Sequence, residues 1–148
     1  MKKIIYFFCI SLFYLLVLKG EVQAQVVGEV IDGVPTFTVD IDELIATYNA
    51  NLLEVSGIDG EFNAAELKIY DEGGYLLIFS GPDYKSVFLA SNEDNQVMVA
   101  GGTSCTTSDC ASESTGCVPK SFLKGCTPCN NIGKCTRTTS NMSMIEAW

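Results

Sequence analysis

The chain has 148 residues, a formal net charge of −9 and no histidine, which excludes Ser-His-Asp triads, Cys-His dyads and His-ligated metal sites. With 47% hydrophobic and 18% charged residues, it is predicted to fold as a globular protein rather than to remain disordered. The acidic balance also argues against a nucleic-acid partner, because phosphate binding requires clustered Lys and Arg side chains.

Residues 1–24 are typical of a secretory signal peptide. Two lysines precede an apolar run from Ile4 to Leu18, and Val22 and Ala24 place small residues before the expected cleavage site. The alternative is a membrane anchor, but the run of about fifteen residues is shorter than the roughly twenty that a spanning helix needs. We therefore expect a secreted or periplasmic, extracytoplasmic chain with no transmembrane segment after processing.

One or two short strands followed by an amphipathic helix are predicted next. Residues 26–39 are rich in β-branched side chains and are interrupted by glycine and proline. Asp40 is suited to the helix N-cap, Glu43 to the reciprocal capping-box position, and Gly57 to the C-terminal stop. Apolar residues recur between these caps at intervals of three and four, which places them on one helix face: Ile41, Leu44, Ile45, Tyr48, Leu52 and Val55.

Four strands are predicted after the helix. They cover residues 66–70, 75–80, 84–90 and 96–100, and their short connections favour antiparallel pairing. The last connection, residues 91–95, is interpreted as a polar loop. For residues 25–102 we therefore predict a small α+β domain, in which one helix packs on a roughly four-stranded antiparallel meander. The apolar middle runs suggest central strands covered at least partly on both faces.

Residues 103–148 are predicted to be a cysteine-rich loop region held together by disulfides. Six cysteines lie within 31 residues, whereas large apolar side chains are few. Disulfides typically stabilise a fold by about 2 to 4 kcal/mol each, and export supplies the oxidising conditions they need. Six cysteines allow about fifteen pairings, so the connectivity stays open: Cys105, Cys110, Cys117, Cys126, Cys129 and Cys135.

Two chemical alternatives involve the same cysteines. Cys126 and Cys129 form half of a zinc knuckle that Cys117 and Cys135 could complete. The same Cys-x-x-Cys pair also has the form of a redox-active dithiol, but a loop-like tract follows it rather than a helix. An exported thiol cluster tends to oxidise, so we expect structural disulfides, with no metal, cofactor or catalytic residue.

The predicted function is that of an exported binding or interaction module. A cross-linked, loop-rich region can hold exposed loops rigidly towards a protein or cell-surface partner, whose identity the sequence leaves open. The alternative is an extracytoplasmic thiol-disulfide oxidoreductase that uses Cys126 and Cys129. The tail, residues 142–148, either docks on the sheet or presents Trp148 to a partner.

Overall fold

The computed structural model describes residues 24–70, 74–100, 102–120, 125–130, 132–140 and 144–145. The predicted signal segment as far as residue 23, and Trp148, lie outside these residues. Within the described ranges the chain forms eight strands and one helix. In chain order these are β1 (Ala24–Ile31), β2 (Val34–Phe37), α1 (Ile41–Ser56), β3 (Ala64–Ile69), β4 (Tyr75–Ser80), β5 (Lys85–Glu93), β6 (Gln96–Ala100), β7 (Thr103–Thr107) and β8 (Thr136–Thr139).

The predicted α+β class, with one helix on a four-stranded meander followed by loops, is wrong. The protein is mostly β, and the described strands form one nearly closed, barrel-like antiparallel sheet. The strand order is β2-β1-β6-β5-β4-β3, with β7 also paired to β5 and β8 paired to β7. The four predicted strands correspond to β3 to β6. The prediction therefore failed because β1, β2, β7 and β8 join the same sheet.

The predicted helix is confirmed, including both of its ends. The Glu43 backbone N–H donates to Asp40 Oδ1 at 3.0 Å, which satisfies an amide that has no partner within the helix. At the other end, Gly57 adopts a φ of 71° and donates its N–H to the Leu53 carbonyl oxygen. Of the predicted apolar stripe, the middle is buried (Leu44, Ile45, Tyr48 and Leu52), whereas Ile41 and Val55 at its ends are exposed.

Two-residue turns close the β1–β2 and β5–β6 hairpins. Asp94 and Asn95 both have positive φ, as type I′ hairpin turns require. Asp32 and Gly33, in the β1–β2 turn, also both have positive φ. The pairing of Glu93 with Gln96 leaves only these two residues between β5 and β6. The predicted loop 91–95 is therefore mostly strand. Its polar side chains are compatible with a strand because they are exposed.

Strand β5 is paired along one edge by two successive strands. Residues 90–93 pair with β6, and residues 85–87 pair with β7. Strands β6 and β7 thus follow one another along the same edge of β5. The division predicted between residues 25–102 and 103–148 falls between them, and it stays a prediction.

Strands β7 and β8 are built from polar residues, which is why the sequence predicted loops here. All five residues of β7 are buried. Their hydroxyl groups make hydrogen bonds inside the protein: Ser104 Oγ accepts from Tyr48, and Thr106 Oγ1 lies 2.8 Å from Ser86 Oγ. Threonine is β-branched and suits a strand once its hydroxyl is satisfied, so β7 needs no apolar alternation. In β8 the hydroxyl of Thr138 is buried without a hydrogen-bond partner.

The two ends of the sheet approach each other at Gly28. A β-bulge in β1 shifts its register against β6 between Val26 and Gly28. A Cβ atom added to Gly28 would lie 2.3 Å from the Thr36 carbonyl oxygen on β2 and 2.8 Å from Leu67 Cδ1 on β3. The approach of the β2 backbone requires glycine here, because a carbonyl oxygen cannot move aside as the end of a side chain can.

The core has an aromatic centre inside the sheet and a smaller cluster outside it. Tyr48 stacks on Phe79 at a centroid distance of 4.3 Å and meets the edge of Phe88 at 5.2 Å. On the outer face, Val118 from the cysteine-rich region covers a cluster of sheet residues: Leu76, Ile78 and Val87. The central strand β4 is therefore buried on both faces, which confirms the prediction from its apolar run.

Candidate functional site: the disulfide cluster and the Ile132 loop

The described cysteines form three disulfides, which confirms the predicted disulfide bonding. The Cα–Cα distances of the pairs are 5.9, 5.8 and 6.1 Å, within the usual range for disulfides. The pairing that the sequence left open joins the first cysteine to the fourth, the second to the fifth and the third to the sixth: Cys105–Cys126, Cys110–Cys129 and Cys117–Cys135.

The three bonds overlap along the chain, so each spans part of the segment that the others close. Their sequence separations are 21, 19 and 18 residues. Cys105 lies in β7, which fixes the first bond to the sheet itself. Segment 105–135 is therefore cross-linked throughout and attached to the barrel at its start.

The alternative redox pair, Cys126 and Cys129, is not bonded as a Cys-x-x-Cys disulfide. Cys126 is joined to Cys105, and Cys129 to Cys110. Cys129 is buried with 4% of its surface exposed. Neither sulfur is the partner of the other, so a dithiol exchange at this pair would require both existing bonds to open first.

Four of the six sulfur atoms lie together. The Sγ atoms of Cys110, Cys117, Cys129 and Cys135 are all within 4.8 Å of one another. The zinc alternative from the sequence grouped Cys126 with three of these residues. The structure instead places Cys110 in the group, because Cys126 is held by Cys105. The Cys-x-x-Cys spacing could not have predicted this set of four cysteines, since only Cys129 of the Cys126 and Cys129 pair belongs to it.

The same cluster holds both ends of a loop, residues 129–135, in which Asn130, Ile132 and Lys134 are exposed, and which we call the Ile132 loop. Residue 131 lies outside the described part of the chain. Cys129 and Cys135 end the loop and belong to two different disulfides. The Ile132 N–H donates to the Cys129 carbonyl oxygen at 3.1 Å, closing a turn within the loop.

Two carboxylates bind the backbone of the Ile132 loop. The carboxylate of Glu113 accepts from the Asn130 N–H at 3.2 Å and from Asn130 Nδ2 at 3.0 Å. On the other side, Asp109 Oδ2 accepts from the Lys134 N–H at 2.7 Å. Hydrogen bonds to ionised acceptors are stronger than neutral ones, so these contacts restrict the loop beyond its disulfides.

Lys85 connects this support to the sheet. It lies on β5 with 9% of its surface exposed, and its amine donates to the carbonyl oxygen of Glu113. Its aliphatic stem packs at Gly116, whose φ of 62° suits glycine. The Thr107 hydroxyl, at the end of β7, donates to the Lys134 carbonyl oxygen at 2.8 Å. The loop is thus fixed to both β5 and β7.

Ile132 is the apolar side chain that the Ile132 loop exposes to solvent. It is 91% exposed, and its φ of 65° is rare for a β-branched residue. Such a backbone conformation persists only where surrounding contacts impose it, and it is often associated with functional sites. Ile132 could not be singled out from the sequence, because it belongs to no recognisable motif. The two cysteines that flank its short polar tract were the available signal.

Comparison with known proteins adds no assignment: no family model, curated protein or solved structure matches this chain. Among the described residues, no helix has both the length and the apolar character needed to cross a membrane. Three disulfides among the described cysteines are consistent with an oxidising, extracytoplasmic location.

Proposed function

We propose that the protein is an exported binding module that presents the Ile132 loop to an apolar pocket on a protein or cell-surface partner. The observation that carries this proposal is an almost fully exposed isoleucine on a loop fixed by two disulfides and two carboxylates. Exposing one isoleucine is ordinary by itself, but holding it in a strained, rigid loop is not.

Rigidity supports this function because it lowers the entropic cost of binding. An ordered loop has already lost the conformational freedom that a mobile one would lose on association. Once Ile132 enters the partner's pocket, removal of its side chain from water contributes about 1.5 to 3 kcal/mol to the free energy of binding.

The alternative function, thiol-disulfide exchange by Cys126 and Cys129, has less support. A redox dithiol has an accessible attacking sulfur and a nearby resolving one that form a bond with each other. Here the two sulfurs are bonded to different cysteines, and Cys129 is buried. This disulfide pairing favours a structural role for Cys126 and Cys129.

The binding proposal is tested with the oxidised chain from residue 25 to 148, immobilised and exposed to proteins from the extracytoplasmic fraction of its source. Captured proteins are purified, and their dissociation constants are measured by calorimetry. We expect Ile132→Asp to weaken binding at least about tenfold, or about 1.4 kcal/mol, because a charge cannot enter an apolar pocket. Val34→Asp is the control, since Val34 is 60% exposed on β2 outside the loop.

Equal binding by the Ile132→Asp and wild-type chains would contradict the proposed site, and the absence of any specific partner would contradict the function. A disulfide-reduction assay on insulin decides the alternative in the same preparation. Turnover that is lost in Cys126→Ser, with the variant still folded, would establish the oxidoreductase instead.

A further inference from the structure

Beyond this binding role, we infer that Cys110, Cys117, Cys129 and Cys135 form a tetrathiolate site for Zn²⁺ when their two disulfides are reduced. The four Sγ atoms lie within 4.8 Å of one another, as required of ligands that share one ion. Thiolates are the preferred ligands of structural zinc, which they surround tetrahedrally.

Three of the unbonded sulfur–sulfur distances already match those between ligands of one zinc ion. The two disulfides, Cys110–Cys129 and Cys117–Cys135, share no atom, so they form two opposite edges of the four-sulfur group. Three of the remaining edges measure 3.7, 3.8 and 3.8 Å. Zinc–sulfur bonds of about 2.3 Å give tetrahedron edges of about 3.8 Å. Every sulfur ends one of the bonded edges, so opening these edges displaces all four sulfurs, and the two pairs must approach each other for the remaining edges to keep this length.

The surroundings suit a closed structural metal site. Three of the sulfur ligands belong to fully or almost fully buried cysteines, and Cys135 is half-buried. The Thr107 hydroxyl oxygen lies 3.5 Å from Cys110 Sγ and 3.7 Å from Cys129 Sγ. Rotation of its hydrogen from the Lys134 carbonyl would supply a hydrogen bond to a ligand thiolate, a common support for metal ligands.

Reduction of the two disulfides consumes two dithiols. Each dithiol gives two electrons and two protons to one disulfide, so the sulfur–sulfur bond breaks to give two thiols while the dithiol becomes a disulfide. Zn²⁺ then binds the four sulfurs, and their four protons are released to water. Cys105 and Cys126 supply no ligand even when their own bond is reduced, because neither sulfur belongs to the group.

The test uses the chain from residue 25 to 148, reduced without oxygen by a phosphine and titrated with Co²⁺. We expect the ligand-field absorption of tetrahedral Co²⁺ and a thiolate charge-transfer band that saturate at one ion per chain. Zn²⁺ should then displace the Co²⁺ and remove both absorptions. A reduced wild-type chain without these bands would overturn the proposal.

Two single variants, each lacking one thiol, identify the ligands. Cys110→Ser should lose the four-sulfur charge-transfer intensity, and Cys126→Ser should retain it in full. The Cys-x-x-Cys spacing predicts the opposite result, so a loss in Cys126→Ser alone would overturn the ligand set inferred here. Full intensity in both variants would mean that a flexible reduced chain recruits any four thiols, which also contradicts a preformed site.

Discussion

At the scale of single residues, the most consequential side chain is Tyr48. Its ring contacts three phenylalanines, and its hydroxyl bonds to Ser86 and Ser104 inside the barrel. Burial raises the pKa of this phenol above its ordinary value of 10.0, although its hydroxyl hydrogen bonds oppose the shift. Neutral Tyr48 therefore stabilises the fold fully below pH 10.0, and this contribution is lost as the pH rises towards the folded-state pKa.

We predict that Tyr48→Phe lowers the free energy of unfolding by about 1 to 3 kcal/mol near neutral pH, because Ser104 Oγ loses its partner in a buried site. The variant should also lose less stability than the wild type between neutral pH and strongly alkaline pH. Chemical denaturation at a series of pH values measures both effects. Tyr70→Phe, on a half-buried tyrosine, is the control, and an equal change in both variants would contradict the assignment to Tyr48.

Gly28 provides a second prediction at this scale. Gly28→Ala should destabilise the protein by about 1 to 3 kcal/mol, since the new Cβ would overpack against β2 and against Leu67 on β3. Gly74→Ala is the matched control, because the nearest atom to its added Cβ is 3.5 Å away. Thermal or urea unfolding compares the two. A Gly28→Ala chain as stable as Gly74→Ala would mean that β2 and Leu67 can shift enough to admit the new Cβ.

At the scale of elements, the sequence predicted the positions of a helix or strand correctly where its local pattern is sufficient to specify it. The caps at Asp40 and Gly57 and the period of three to four residues defined α1, and apolar runs defined β4 and β6. Strands β7 and β8 could not be predicted in the same way. In β7 the buried hydroxyls of Ser104 and Thr106 are satisfied by Tyr48 and Ser86, which are distant in sequence, so no local pattern indicates this strand.

The Ile132 loop was likewise beyond the reach of the sequence, for a different reason. Both its disulfide partners and its carboxylate contacts come from residues 109–117, and fifteen pairings of six cysteines give no preference among them. Asp109 and Glu113 carry no motif; only the folded chain brings them to the backbone of the loop.

We predict that Glu113→Ala loosens this loop while leaving the barrel intact. The Asn130 N–H would lose its carboxylate acceptor, so its hydrogen exchange should accelerate, whereas amides of β4 should exchange as in the wild type. Mass spectrometry or NMR measures the exchange. Asp83→Ala, on an exposed carboxylate in the β4–β5 turn, is the control. Unchanged exchange at Asn130 would show that the disulfides alone order the loop.

At the scale of the whole molecule, the topology determines which parts of the chain depend on each other. Met144 and Ile145, near the C-terminal end, are buried in the same core as α1 and β4, which agrees with the docking alternative for the tail. Asn51 on α1 donates to the Met144 carbonyl oxygen at 3.2 Å. The core that residues 25–102 form is therefore completed by residues from beyond that range.

This arrangement gives a prediction for a chain that ends at Gly102. The shortened chain lacks Met144 and Ile145, and comparable losses of one large apolar side chain from a core cost about 2 to 5 kcal/mol each. It also leaves the outer cluster at Ile78 without Val118. We expect its free energy of unfolding to fall below that of a full-length control with Cys105→Ser and Cys126→Ser, which loses one disulfide, about 2 to 5 kcal/mol, but keeps Val118, Met144 and Ile145.

Urea unfolding followed by circular dichroism and by the near-ultraviolet signal of the core tyrosine and phenylalanines compares the two chains. A shortened chain that is less stable than the disulfide control, or that unfolds without cooperativity, indicates that the barrel and the cysteine-rich region share one core. Cooperative unfolding at the stability of the intact protein would instead establish residues 25–102 as an independent domain. In that case the buried positions of Met144 and Ile145 would contribute to attaching the tail rather than to folding the barrel.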